Sequence, residues 1–397
     1  MVRALPFDLA KLDELREKMA DRVERGEIPG AVMLLGRYGE TWCEAVAFSD
    51  LAAGTALRED AIFRIASMTK PFLASAAMTL AAEGALDLHA PVDLWLPELA
   101  DRRVLRTPRS EMDDTVPAAR PITTHDLLTN QWGLGALFDP DPTPLQLAMA
   151  TAGLDPGPFP PDRSPDDWMA AIGSLPLAFQ PGKGWLYHTG YDVLCVLLAR
   201  VTSTPLPDLM RTRIFEPLGM ADTGFHTPEA SIDRLTTCYD IDPASGEFVV
   251  SDPARGGVWA KPQLFPCAAV STAADYLRFA SMLRNRGDLG EVRLLSRESF
   301  ALMTQDYVDQ RVKDAYPFFP GFWDRTGWGY GFSIITKPAE PPMQGAGSYG
   351  WSGGLNTHWM NDPENDLTGL LLMQLQMDGP DNPVGEFWRL TYDALES

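Results

Sequence analysis

Ser67 and Lys70 stand three residues apart at the head of an apolar run, and together they could do chemistry that neither does alone. Residues i and i+3 share a helix face, so the hydroxyl and the amine would lie side by side. A serine is a weak nucleophile near neutral pH until a neighbour takes its proton. A lysine one turn on can do that directly, or by holding another base as its anion. From Pro71 to Ala82 the only polar residues are Ser75 and Thr79, so this helix reads as buried nearly all round. Burial and the positive end of the helix dipole both disfavour a free ammonium there, which leaves Lys70 as a proton acceptor or as an ion held by an anionic partner. The same residues also fit an ordinary helix start, with Ser67 as N-cap and Lys70 reaching solvent.

Tyr187 is the next candidate. It lies in Trp185-Leu186-Tyr187-His188-Thr189-Gly190-Tyr191, after Pro181 and Gly182 and before a helical stretch. A tyrosine at such a corner is either a core aromatic with its hydroxyl satisfied or a phenol able to take the serine proton, because a nearby ammonium favours the phenolate. Two other matches fail on context. Gly345-Ala346-Gly347-Ser348-Tyr349-Gly350 spells G-x-G-x-x-G but precedes a strand pattern, whereas dinucleotide binding needs strand, turn, then helix. Gly350-Trp351-Ser352-Gly353-Gly354 spells G-x-S-x-G, but the nucleophile elbow of that form needs a helix next, then an acid and a histidine downstream. Here a strand pattern follows, and the sole later histidine, His358, is expected to be too close for the intervening sheet.

The elements that must carry these residues can be read from periodicity and turn residues. Leu9 to Arg25 is helical, and Ala31 to Phe48 is a hairpin turning at Arg37-Tyr38-Gly39-Glu40. Gly84 stops the Ser67 helix, Pro91 opens a helical stretch, and Thr123 to Asp126 caps a short helix ending near Gly133. Phe138 to Trp168 holds eight prolines and reads as one long loop, of the kind that often forms a lid. Thr189 to Thr202 is helical, Cys238 to Val250 is a hairpin, and Ser271-Thr272 caps a helix from Ala273 to Arg286. Strands are expected over Trp328 to Ile335, Ser348 to Met360 and Leu367 to Gln376, with a closing helix from Gly385 to Leu395. Strands at both ends and helices between predict an α+β protein whose sheet joins the two termini.

Composition narrows the function. Against 33 Lys+Arg stand 54 Asp+Glu, a net charge of −21, which disfavours nucleic acid and anionic membrane as partners and favours neutral or cationic small molecules. Charges at Arg3, Asp8, Lys11, Asp13 and Glu14 interrupt any apolar core of signal-peptide length. Cys43, Cys195, Cys238 and Cys267 show no paired spacing, as expected of a reduced cytoplasmic protein. His89, His125, His188, His226 and His358 are scattered, with no H-E-x-x-H or C-x-x-C, so no metal is expected.

Taken jointly and in order, Ser67-Met68-Thr69-Lys70, Tyr187-His188-Thr189 and Trp351-Ser352-Gly353 resemble the three motifs of class C β-lactamase-like serine hydrolases, and in particular the family VIII carboxylesterases. The likeness continues through Phe63 to Gly84, Asp126 to Gly135, Gly182 to Val201, Phe215 to Gly224, Val270 to Leu283 and Tyr349 to Gln374. It implies a β-lactamase/transpeptidase-like fold: an antiparallel sheet lobe from residues 1–66 and 255–397, a mainly helical lobe from 67–254, and the active site between them. It also implies Ser67 as acylated nucleophile, Lys70 as its partner, Tyr187 as general base, the backbone N–H groups of Ser67 and Gly354 as oxyanion hole, and Trp351, Ser352, Gly353 and Thr189 at the substrate. No cofactor is implied, and the oligomeric state is left open.

The departures point the same way. Trp351 stands where a lysine or histidine would meet a penicillin-type carboxylate, and Thr189 replaces an asparagine that helps position an acylamino chain. The expected activity is hydrolysis of small carboxylic esters through an acyl-enzyme. A β-lactamase, D-amino-acid peptidase or acyltransferase on the same scaffold, or a catalytically idle binding protein, are the alternatives. Trp132, Phe138, Trp259, Phe265, Phe318, Phe319 and Trp323 are candidates for pocket lining.

Overall fold

The strand Gly30–Arg37 is apolar along nearly its whole length, and strand alternation sorts its side chains onto two faces. Val32 and Leu34 join one core with Phe72, Trp359, Leu370 and Leu372. Ala31, Met33 and Leu35 join a second with Leu371, Met373, Phe387 and Trp388. A strand buried on both sides belongs in the middle of a sheet with helices over each face. The computed structural model, which describes residues 6–137, 141–315, 318–338, 343–376 and 383–395, has that form.

Eight strands make one sheet in the order Thr326–Trp328, Ser333–Ile335, Tyr349–Gly353, Thr357–Asp362, Leu367–Leu372, Gly30–Arg37, Glu40–Asp50 and Thr55–Ala56. Every neighbouring pair is antiparallel. The pairing of Val32 with Leu372 closes the N-terminal hairpin onto the C-terminal strands, so the sheet is built from both chain ends, as the α+β reading requires. The helices Leu9–Glu24 and Val384–Asp393 pack together with the second core, and Ala273–Arg284 lies against the other face. The first core continues without a break from Val32 and Trp359 to Trp168 and Leu194, so sheet and helices share one interior. Among the described residues, no single helix is long and apolar enough to cross a membrane.

Several expectations need correction. The long loop contains two helices, Pro144–Thr151 and Pro165–Ser174. Their prolines occupy the first helical position, where the missing N–H costs nothing, and Thr143 and Ser164 cap them; proline there marks a helix start and not a loop. Phe138 lies outside the described residues. Ser348 to Met360 is two strands, because Asn356, at φ 56°, turns the chain after Gly353. Trp328 to Ile335 is likewise a hairpin, turned at Gly331 with φ 97°. The helix capped by Thr123 ends at Leu128, short of Gly133, and Pro91 opens only a single 3₁₀ turn, Val92–Leu94.

Candidate active site

Ser67 is delivered by the strand Phe63–Ala66, which pairs with Ala269–Ser271. That strand is anchored by Arg64, wholly buried, whose guanidinium pairs with Asp252 at 2.6 Å and also reaches the Thr236 carbonyl and Gln374. A buried ion pair with every donor occupied is sound, but losing one partner would cost about 3–5 kcal/mol. Ala66 then takes φ 42°, ψ −118°, a conformation L-residues avoid at a cost of about 1–3 kcal/mol. This turn throws the chain from strand into the short 3₁₀ segment Ser67–Thr69 and the helix Lys70–Ala82. Two bonds pin it: Ala269 N–H donates to Thr69 Oγ1 at 2.9 Å, and Tyr276 Oη donates to the Met68 carbonyl at 3.0 Å.

The ordinary helix-start reading of Ser67 does not hold: the N-cap position is held by Ala66, and Ser67 lies inside the turn. Instead Lys70 Nζ donates to Ser67 Oγ at 2.9 Å. Lys70 does not reach solvent either: it is 5 % exposed, with Nζ 4.7 Å from the centroid of the Tyr187 ring and 5.8 Å from that of Tyr191. Tyr187 is held on its other side by Trp351, whose Nε1–H donates to Tyr187 Oη at 2.5 Å. Indole nitrogen is a donor only, so the phenolic oxygen accepts. The backbone at this corner is set by Gly135, where a Cβ would sit 2.5 Å from the Leu186 carbonyl and 2.6 Å from that of Tyr187. The next residue, His188, is held at φ 88°.

An acidic residue that motif reading passed over completes this cluster. Asp192 is buried on the helix Thr189–Thr202, its Oδ2 3.5 Å from His188 Nε2. Asp192, His188, Lys70 and Ser67 border one small cavity of about 20 Å³, room for a single water. Its signal in the sequence was slight: one carboxylate inside the apolar run Tyr191 to Leu198. Burial pushes the Asp192 carboxyl up to about 7, against the pull of Lys70. Burial, and secondarily Lys70, holds His188 well below its ordinary value, so it stays neutral and a poor base.

The raised Asp192 value has a consequence for stability. An unfolded aspartate titrates near about 3.9, so the folded chain binds this proton more tightly, and the stability it contributes at low pH is lost as pH rises from about 4 through 7. Asp192→Asn is neutral throughout. Its melting temperature should match wild type at acid pH and exceed it increasingly between about pH 4 and 7, levelling off at about 4 kcal/mol of added stability by pH 8. Thermal unfolding of both proteins across pH checks this; a difference that does not change with pH would count against a titrating Asp192.

A second, larger cavity of about 550 Å³ opens on Ser67 and Tyr187 and is lined by Trp351, Ser352 and Gly354. Of the aromatic candidates, Phe318 and Phe319 line it, joined by Phe322, which motif reading missed. Trp132 and Trp259 are wholly buried core, Trp323 packs on Trp185 and Phe322, and Phe265 borders a separate cavity beside Cys195. Two of the residues expected at the substrate are placed otherwise. Thr189 is buried, with its hydroxyl donated to the Leu134 carbonyl at 2.8 Å. Gly353 is a close-approach residue: a Cβ there would collide with the Ile65 carbonyl and Thr357.

Ser352 does meet His358, contrary to expectation, because the two face each other across adjacent strands with Oγ 2.8 Å from Nδ1. The pair cannot serve as nucleophile and base. Trp388 Nε1–H donates to His358 Nε2 at 2.8 Å, so Nε2 carries no proton. Burial holds the imidazole down to about 4; the neutral ring therefore carries its proton on Nδ1 and donates it to Ser352.

The family model described as Beta-lactamase matches residues 15–391. Protein Rv1367c of Mycobacterium tuberculosis is 36 % identical over 380 residues, covering 91 % of this chain and 90 % of its own. Esterase EstB of Burkholderia gladioli is 29 % identical over 393 residues, covering 96 % and 95 %. Among solved structures, EstCE1, described as a hydrolase with promiscuous acyltransferase activity, superposes with TM-score 0.78 at 23 % identity, covering 97 % of this chain and all of that one.

Proposed function

Because this chain belongs to the Beta-lactamase family, in the branch that contains Esterase EstB, we propose that it is a serine hydrolase cleaving small carboxylic esters through an acyl-enzyme on Ser67. The observation that carries this reading is the contact of Lys70 Nζ with Ser67 Oγ at 2.9 Å, beside a Tyr187 whose oxygen accepts from Trp351. In this mechanism Tyr187 Oη takes the Ser67 proton as Oγ attacks the ester carbon, and Lys70 stabilises the anionic form of the pair. The backbone N–H groups of Ser67 and Gly354 receive the developing oxyanion. Collapse of the tetrahedral species expels the alkoxide, which Tyr187 protonates. Water then enters and gives a proton to Tyr187 as its oxygen attacks the acyl carbon; collapse releases the acid from Ser67, and Tyr187 returns the proton to Ser67 Oγ. An alcohol in place of that water would make the same acyl-enzyme an acyltransferase. The proposal places the enzyme in the cytoplasm, acting on a small neutral ester without a cofactor.

Trp351 also sets the preference among acyl compounds. Its indole offers a hydrogen bond but no charge, so a β-lactam carboxylate would forgo a charge-assisted bond worth about 1.5–3 kcal/mol. The expected result is a kcat/KM for p-nitrophenyl butyrate exceeding that for a chromogenic cephalosporin by at least about tenfold to a hundredfold on this term alone. Side-by-side kinetics test the proposal, and a higher value for the cephalosporin would replace the esterase reading with a β-lactamase one.

A further inference from the structure

The large cavity is lined, besides Thr326, Ser333 and Gln376, by a polar pair that acyl transfer makes no use of. The pair is Ser352 with His358, and Ile335 and Met360 line the same cavity. Three side chains form a directed relay: Trp388 donates to His358, and His358 donates to Ser352, each over 2.8 Å. The direction is imposed from the buried end, because indole can only donate. Ser352 Oγ therefore accepts from His358, and its own proton must go elsewhere. Among the described residues no second partner takes it, so it is left for whatever fills the cavity.

We propose that Ser352 is a specificity-determining donor, oriented by His358 and Trp388 as positioning residues, and that it selects esters whose apolar body carries a second, neutral carbonyl. The inference rests on the hydrolase reading and deepens it. Neutrality follows from the lining: among the described residues bordering the cavity none is lysine or arginine, so a carboxylate would be desolvated there without a counter-ion. A ketone or second ester carbonyl needs only the one bond that Ser352 offers. A substrate lacking it would displace water from that donor and offer it no partner.

Binding can be measured apart from turnover in a Ser67→Ala background, by quenching of tryptophan fluorescence. Phenyl hexanoate is compared with its γ-keto and δ-keto analogues, and para-ethylphenyl hexanoate with para-acetylphenyl hexanoate, so that both sides of the scissile bond are probed. At least one carbonyl ligand should bind about three- to tenfold more tightly than its methylene partner, the range for one neutral hydrogen bond. Adding Ser352→Ala should bring that ratio to about one. His358→Leu should do the same, whereas His358→Gln, whose amide can accept from Trp388 and donate to Ser352, should restore most of it; a purely structural role for His358 would not show this pattern. No preference for any carbonyl ligand, or a preference that survives Ser352→Ala, overturns the inference, and should His358→Leu not fold, the Ser352→Ala ratio decides. Turnover of phenyl hexanoate by the wild-type chain is read separately: its absence would defeat the hydrolase reading, while the binding ratios still judge Ser352.

Discussion

Ser67→Ala is expected to remove ester cleavage almost entirely, by on the order of 10⁴- to 10⁶-fold in kcat, the scale seen when a covalent nucleophile is deleted. No other described group can take its place. Ser352 is the one serine in a G-x-S-x-G context, and its histidine partner presents a proton where a base would need a lone pair. Ser352→Ala should accordingly leave a readily measured rate on p-nitrophenyl butyrate, within about tenfold of wild type if it costs one neutral hydrogen bond. A fluorophosphonate that traps the nucleophile, followed by peptide mass spectrometry, identifies the acylated residue directly. An adduct on the peptide containing Ser352, with Ser67 unmodified, would overturn the assignment. No adduct at all would mark the chain as an idle member of its family.

Tyr187→Phe keeps the ring that packs against Trp185 and Phe318 and removes only the oxygen that accepts from Trp351. The fold should survive, while kcat/KM falls by at least the ~10²-fold typical of a lost general base. Lys70→Ala should do comparable damage, since it strips Ser67 Oγ of its donor and leaves Asp192 facing the cavity without its cation. If the two residues act as one unit, the double variant should be far less impaired than the product of the single losses. The measurement is kcat/KM for all three variants, with circular dichroism to confirm folding. A well-folded Tyr187→Phe enzyme near wild-type activity would transfer the base role to Lys70 itself. His188 is a weak alternative, because burial and Lys70 hold its basicity down.

Much of this protein can be read from local order along the chain. Helix and strand positions follow from periodicity, so Leu9–Glu24, the Gly30–Arg37 hairpin, Thr189–Thr202 and Ala273–Arg284 lie within a residue or two of expectation. The misreadings share a cause. Proline at the first turn of a helix and proline in a loop look alike until the cap is seen, which hid Pro144–Thr151 and Pro165–Ser174. Turns made by a single Asn or Gly at positive φ, as at Asn356 and Gly331, split strands that hydropathy had joined.

By itself the sequence determined that Ser67 and Lys70 share a helix face, because a three-residue spacing sets that whatever surrounds them; that Lys70 turns to Ser67 and not to solvent was decided by the fold. The folded chain decided everything that depends on register between distant segments. Trp351 meets Tyr187 across 164 positions, and only the closure of the Tyr349–Gly353 strand edge over the Ser67 helix turns that indole into a donor to the phenol. Trp388 reaches His358 across 30 positions because the closing helix lies on the back of the sheet, and that contact, with the burial that keeps the ring neutral, makes the Ser352–His358 pair a donor and not a base. Asp192 was one carboxylate in an apolar run until burial raised its proton affinity and placed it at the cavity it shares with Lys70. Charge state, tautomer and bond direction are properties of an enclosed environment, and the chain acquires that environment only when its two ends pair.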